Sequence, residues 1–309
     1  MQLSTEMHFY SEPLVEGIDV IIPTYRRPNN LLKAIDCVLR QTYSNIGVIV
    51  VDDNNDGDEF RKETEIVMNK YSGNDKVRYI KHSQNKNGAA ARNTGIKASN
   101  ASYIAFLDDD DLWSPNKIEK QLEYLNSKGS SYSCVSCFHV RRYKEFTYRA
   151  VTFKEQESGN YFFGLLTDKN PTSTSTLLFR KEVFEKIMFD ESFPRHQDTE
   201  LLSNFYRYFK MAICPHFLVS MQFEGERNYP GKENISVIKQ KLLGKYKDDI
   251  LQMPLAMQKE IYSYQNLEMK KMKLHNNFFY SSIKKASAIV LGLTKYRKFM
   301  NMQKYWDSV

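Results

Sequence analysis

Four consecutive carboxylates, Asp108-Asp109-Asp110-Asp111, stand at the end of the apolar run Tyr103-Ile104-Ala105-Phe106-Leu107. Like charges crowded at a strand end repel one another, and a hard divalent cation with oxygen ligands relieves that repulsion. The plain alternative is a solvated acidic turn capping a helix that begins near Ser114-Pro115, because helix N-termini favour acids. Two other apolar runs end in polar groups. Ile18-Asp19-Val20-Ile21-Ile22 leads into Pro23-Thr24-Tyr25-Arg26-Arg27, and Val48-Ile49-Val50-Val51 leads into Asp52-Asp53-Asn54-Asn55-Asp56-Gly57. Each alone has ordinary turn composition. Together, at one end of one sheet, they describe a polar cleft.

Strands and helices must hold these groups in place. Residues 18–23 read as a strand stopped by proline. A helix runs from Pro28 to about Thr42, with Leu31, Leu32, Ile35, Val38 and Leu39 on one face. A strand at Val48–Asp52, a helix over 58–71, a strand at Val77–Ile80, a helix from Gly88 to about Ala98 and a strand over 102–107 follow. This alternation predicts βαβ units and a mostly parallel sheet, and the continuous apolar strands predict one covered on both faces. Ligands bind such sheets at the carboxyl ends of the strands. Further on, 131–153 reads as longer polar strands, Ser173–Arg180 as a strand, 181–187 and 198–210 as helices, and 213–223 as a strand. Periodicity breaks at Glu226–Lys232, and only helical patterns follow. The expected organisation is an N-terminal extension over 1–16, an α/β domain over 17–228 and a helical, basic region over 229–309.

The chain has 309 residues and 13% aromatic content, which argues against disorder. Its net charge is +7, yet residues 269–309 hold nine basic residues against Asp307 alone, so the remainder is close to neutral. A nucleic-acid enzyme would carry that charge over its working face, and no nucleic-acid partner is expected. The four cysteines form no disulfide framework for a chain of this size. Cys134, Cys137 and His139 have metal spacing, but they lie in an alternating segment that reads as a strand, which favours buried thiols over zinc. There is no run of eighteen apolar residues, and the first residues, with Glu6 and Glu12, lack the basic-then-apolar pattern of a signal peptide. A cytoplasmic location is expected. Neither Gly-x-Gly-x-x-Gly after the first strand nor Gly-x-x-x-x-Gly-Lys-Ser/Thr occurs, which disfavours a dinucleotide cofactor or P-loop hydrolysis. A bound diphosphate would instead share a divalent ion with one or two carboxylates.

The ordered set Ile21-Ile22-Pro23-Thr24-Tyr25-Arg26, Val51-Asp52-Asp53, Asn87-Gly88-Ala89-Ala90-Ala91-Arg92-Asn93-Thr94-Gly95 and Phe106-Leu107-Asp108-Asp109-Asp110-Asp111-Leu112-Trp113 resembles the family 2 glycosyltransferases. These are inverting enzymes of the GT-A fold that use nucleotide-activated sugars. The resemblance implies a Rossmann-like α/β sheet flanked by helices, with 17–228 as the catalytic domain and a helical C-terminal extension. It implies that Pro23, Thr24 and Tyr25 line the nucleotide pocket, with Arg26, Asn87 and Gly88 beside them. Asp52 or Asp53 would accept a hydrogen bond from the base, expected to be uracil, and Arg92 would approach the base or the diphosphate. Asp108 would lie near the ribose and the metal, and Asp110 would ligate the metal, Mn²⁺ or Mg²⁺. Asp109 is the permissive middle position among the nucleotide-binding residues, and Asp111 is left to cap the next helix. For Arg92, pairing with a carboxylate is the plain alternative; for Tyr25, packing.

Inverting transfer also needs a base to take the acceptor hydroxyl's proton. The segment Phe189–Leu201 resembles the family's Glu-Asp segment, with Gln197 where many members have Glu. Asp198 would be that base, with Glu200 in reserve; an acid serving the helix dipole is the alternative. The hydroxyl-rich Pro171–Thr176 suits sugar binding and an edge strand equally, and His196 and His216 read as surface or core residues. The expected function is metal-dependent inverting transfer from a UDP-sugar to a hydroxyl of a glycan or lipid-linked glycan in bacterial surface polysaccharide synthesis. The alternative is a non-catalytic glycosyltransferase-like subunit of a membrane-associated complex. The segment from Phe278 to Trp306 mixes aromatic, apolar and basic residues, which predicts peripheral contact with the inner face of the cell membrane. A helix packed on the catalytic domain or a partner is its alternative.

Overall fold

The structure, a computed structural model, describes residues 16–143, 147–150, 158–167, 169, 172–223 and 234–274. The expected N-terminal extension up to residue 15, the break at Glu226–Lys232, Pro171 and the basic aromatic segment from Phe278 lie outside them. The described residues fall into two compact units that divide between Asn228 and Tyr229.

The first unit begins with the expected alternation: β1 (Ile18–Thr24), α1 (Pro28–Leu39), β2 (Ile46–Asp52), α2 (Glu59–Asn69), β3 (Val77–Lys81), α3 (Gly88–Ala98) and β4 (Tyr103–Phe106). It continues through β5 (Asp111–Trp113), α4 (Lys117–Ser127), β6 (Tyr132–Tyr143), β7 (Thr147–Ala150), α5 (Ser158–Leu166), β8 (Leu178–Arg180), α6 (Val183–Lys186), α7 (Gln197–Phe205) and β9 (Lys210–Phe223). One sheet runs in the order β3-β2-β1-β4-β8-β6-β9-β5, with β7 added to β6. The pairings among β1, β2, β3 and β4 are parallel, but β8 is antiparallel to both neighbours and β5 to β9. The sheet is therefore mixed, and the expectation of a mostly parallel sheet holds for its first half.

Alternation along the strands fills a core on each face. Val20, Ile22, Val48 and Val50 meet Leu31, Ile35 and Val38 of α1 and Ile118 and Leu125 of α4. Ile21, Ile49, Val51 and Phe106 meet Ala89, Ala91 and Ile96 of α3 and Leu201, Leu202 and Phe205 of α7. Each such aliphatic side chain contributes about 1.5–3 kcal/mol on burial. A Cβ on Gly95 would lie 2.5 Å from Ile21 Cγ2, so the missing side chain lets α3 sit closely on β1. Cys134 packs in the second core and Cys137 in the first, because positions three apart on a strand point to opposite faces.

Two expectations need correction. Residues 173–177 are not strand: Thr174–Thr176 form a 3-10 turn, and the strand starts at Leu178. Asp111 caps no helix. It opens β5, opposite Met221 of β9, while α4 begins at Lys117. The second unit contains α8 (Asn234–Lys245), α9 (Lys247–Leu251) and α10 (Leu255–Leu274). Among the described residues no helix is long and apolar enough to cross a membrane.

Candidate active site

Register brings the polar strand ends together. Thr24 is level with Asp52, and Ile21 with Phe106, so the turns after β1, β2 and β4 share one edge of the sheet. The Asp108 carbonyl accepts the Asp111 N–H at 3.0 Å, and this turn splays the four carboxylates. Asp108 accepts from Arg92 Nη2 at 2.5 Å and from the Thr174 hydroxyl at 3.2 Å, while its N–H donates to Ser175 Oγ. Asp109 accepts from the Thr24 hydroxyl at 2.9 Å and from Arg27 Nη1 at 3.0 Å, and Arg27 Nη1 also reaches Asp110 at 2.8 Å.

Asp109 is thus no permissive middle position. Only 5% of it is exposed, and it ties the turn after β1 to the turn after β4. Burial, reinforced by Asp110, raises its carboxyl to about 7, against the pull of Arg27 and Thr24. For Arg27, burial opposes the charge, but Asp109 and Asp110 outweigh it and raise the guanidinium above its ordinary value. Sequence reading left Arg27 out of the site. The available signal was a second arginine beside a strand whose neighbour ends in four acids.

The two carboxylates after β2 stand behind the cleft. Asp52 has no exposed surface; it accepts from the Tyr79 hydroxyl at 2.6 Å and from the Asn54 backbone and side chain, and Arg61 Nε lies 3.1 Å away. Both oxygens of this candidate base acceptor therefore already have partners within the protein. Burial raises the Asp52 carboxyl, and these partners lower it in part. Asp53 accepts from Asn85 Nδ2 and from the backbone N–H groups of Lys86 and Asn87, and bonds His82 Nδ1, so it shapes the loop leading to α3. Asn87 holds the left-handed φ of 80° there and caps α3 through the Ala89 and Ala90 N–H groups. A Cβ on Gly88 would meet Arg92 Nη1 at 3.0 Å and Gln197 Oε1 at 3.1 Å, so glycine leaves room for those two groups.

Arg92 joins the two sides of the site, because its Nη1 donates to Gln197 Oε1 at 2.8 Å. Gln197 opens α7, and the half-buried Asp198 follows in the first turn, its Oδ1 accepting the Thr199 N–H at 2.8 Å. Glu200, the reserve base, is 1% exposed and faces inward, so its burial removes it from that role. Pro23 lies within β1, half-buried, and Tyr25 beyond it is 37% exposed. Arg26 has φ +58° and lies over the rings of Tyr25 and Phe60, at 5.0 and 5.6 Å. Tyr25 and Arg26 are both exposed at the end of β1. His196 precedes α7 in a left-handed conformation, and His216 is exposed on β9.

A divalent cation has hard oxygen donors here in Asp108 and Asp110, the donor type that Mg²⁺ and Mn²⁺ take. No preassembled group of three His, Cys, Asp or Glu exists among the described residues. Two carboxylates held ready by arginines fit a cation that completes its coordination with diphosphate oxygens.

The family model for glycosyl transferase family 2 matches residues 19–188. The amylovoran biosynthesis glycosyltransferase AmsB of Erwinia amylovora is 31% identical over 193 residues, covering 60% of this chain and 62% of AmsB. The Escherichia coli UDP-Glc:alpha-D-GlcNAc-diphosphoundecaprenol beta-1,3-glucosyltransferase WfgD is 30% identical over 115 residues, 37% of this chain and 43% of WfgD. The chain thus spans less than two thirds of the length of either relative. Among solved structures, TarS of S. aureus superposes with a TM-score of 0.62 at 15% identity, over 85% of this chain and 74% of that one. The mannosyltransferase PcManGT of Pyrobaculum calidifontis, solved with GDP-Man and Mn²⁺, gives 0.55 at 15% identity, over 94% and 84%. These two share the fold, a mixed sheet flanked by helices. With the family model spanning β1 to α6, more than half of its length, the chain belongs to glycosyl transferase family 2.

Proposed function

We propose that this protein transfers a sugar, with inversion, from a UDP-sugar to a hydroxyl of a lipid-linked glycan during bacterial surface polysaccharide synthesis. One observation carries the reading: Arg92 ties Asp108 of the donor edge to Gln197, next to Asp198 on α7. One guanidinium thereby holds a carboxylate of the donor edge and the residue next to the candidate base. The diphosphoundecaprenol acceptor in WfgD's name supports the acceptor class, amylovoran biosynthesis in AmsB's name supports the polysaccharide setting, and TarS solved with UDP and with UDP-GlcNAc supports the donor class.

In this reading the uracil stacks at Tyr25 and Arg26. Asp108 and Asp110 hold Mn²⁺ or Mg²⁺, which when bound neutralises charge on the departing diphosphate. Arg27 holds Asp110 in place beforehand. Asp198 accepts the proton of the acceptor hydroxyl as that oxygen bonds to the anomeric carbon and the bond from that carbon to the diphosphate breaks. The work takes place at the cytoplasmic face of the membrane. A panel of nucleotide-sugars, assayed for nucleoside diphosphate release with Mn²⁺ present, tests the proposal. UDP release with one sugar is the expected result, and no release with any donor, or release without metal, overturns the corresponding part.

A further inference from the structure

On the paired strands β6 and β7, two arginines lie side by side with no carboxylate partner among the described residues. Val140 of β6 pairs with Arg149 of β7, and Arg142 with Thr147. Arg142 and Arg149 are therefore diagonal neighbours on one face, about 7–8 Å apart at their backbones. Arg142 Nε donates to Ser220 Oγ at 2.9 Å. The Arg149 guanidinium lies 5.5 Å from the centre of the Phe217 ring, which rests on Phe138 at 5.4 Å and is 40% exposed. Neither arginine forms an ion pair among the described residues. Both are exposed, so water softens their mutual repulsion, and an anion between them would remove what is left.

Their position gives the anion a role. The strands β1, β4, β6 and β9 all point the same way, since β8 is antiparallel to β4 and to β6, and β9 is parallel to β6. The ends of β6 and β9 therefore open on the same edge as the Asp108 turn. Asp111 pairs with Met221, and Met221 with Arg141, so the β6 end is two strand spacings, roughly 10 Å, from the acidic run. The face is also the right one. Phe138, two and four residues before Val140 and Arg142, packs in the same core as Leu201, Leu202 and Phe205 of α7, the helix that carries Asp198. Asp111 belongs to the opposite face, because its partner Met221 packs in the other core. Arg141 turns to that opposite face too, where its Nε donates to Nε2 of the buried His139.

We propose that Arg142 and Arg149, over the exposed ring of Phe217, bind an anionic group of the acceptor, a phosphate or a carboxylate, on the side of the cleft that holds Asp198. The inference rests on the transferase reading above and adds the chemical class of the acceptor to it. Guanidinium forks match both anions, and the ring offers an apolar surface to the sugar or lipid that bears them.

Calorimetric titration of the full chain, saturated with UDP and Mn²⁺ so that the donor diphosphate site is filled, tests this. The probes are decyl diphosphate, methyl glucuronide and the neutral decyl glucoside, each applied to the wild type and to the Arg142→Gln/Arg149→Gln double variant. At least one anion is expected to bind the wild type and to lose about tenfold or more in affinity in the double variant, with UDP affinity unchanged. Decyl diphosphate as the binder assigns a lipid phosphate, and methyl glucuronide an acidic sugar. The Arg142→Lys/Arg149→Lys variant, which keeps charge but loses the fork, should fall between the two. Anion binding retained in the Gln variant, no anion binding at all, or equal binding of decyl glucoside overturns the proposal. Failure of UDP itself to bind strikes the transferase reading instead, so the two failures are distinct.

Discussion

The two ends of the cleft handle charge in opposite ways. After β1, β2 and β4 the carboxylates are met by cations: Asp52 by Arg61, Asp108 by Arg92, and Asp109 and Asp110 by Arg27. After β6 and β7, Arg142 and Arg149 rest on a hydroxyl and a ring. The first arrangement keeps its shape before any ligand arrives, as a site for one fixed chemical group should. The second has no carboxylate partner among the described residues. On the proposals above, the first is a rigid donor half and the second an acceptor half that its substrate completes.

Substitutions can break or sharpen that contrast. Asp198→Asn should lower turnover by about 10²–10⁴-fold, the usual worth of a positioned base, while UDP affinity measured by calorimetry stays within a factor of about two. A parallel loss of UDP binding would move Asp198 into the donor half. Asp52→Ala leaves Arg61 buried without its carboxylate and should cost about 3–5 kcal/mol in urea unfolding. A cost below about 1 kcal/mol would mean that the donor network is not closed. Asp110→Ala should weaken UDP binding about tenfold with Mn²⁺ and leave it unchanged in EDTA, read as a thermal shift; equal losses in both would deny Asp110 the metal. Gly88→Ala forces Arg92 or Gln197 to give way and should cost about 1 kcal/mol in UDP binding, the low end for overpacking. No change there would show that the join between the halves is loose.

Much of the donor half could be read from the chain, because its strands are long and their apolar runs stop at polar turns. The strands expected over 18–23 and 48–52 are found at Ile18–Thr24 and Ile46–Asp52. What escaped depends on distant partners. Arg27 meets acids more than eighty positions away, and no local pattern announces that. Adjacent Asp52 and Asp53 look alike in sequence, yet each is claimed by a different set of neighbours. β5 has three residues, too few for a period, and exists only because β9 pairs with it a hundred positions later. At 174–176 the hydroxyls tip the balance: Thr176 Oγ1 donates to the Ser173 carbonyl at 2.7 Å, closing a turn where β-branched residues suggest a strand.

All four cysteines are buried, and burial pushes every thiol above its ordinary pKa, Cys214 to about 11 and Cys137 to about 12. Thiolate is the reactive form, so the folded chain should be silent toward maleimides and disulfide reagents, with four groups appearing only in denaturant. That silence makes the molecule a ready host for labels. A cysteine introduced as Thr147→Cys, exposed beside Arg142, would be the one reactive thiol, and the emission of a fluorophore there would test acceptor arrival at the proposed site without any native thiol having to be removed.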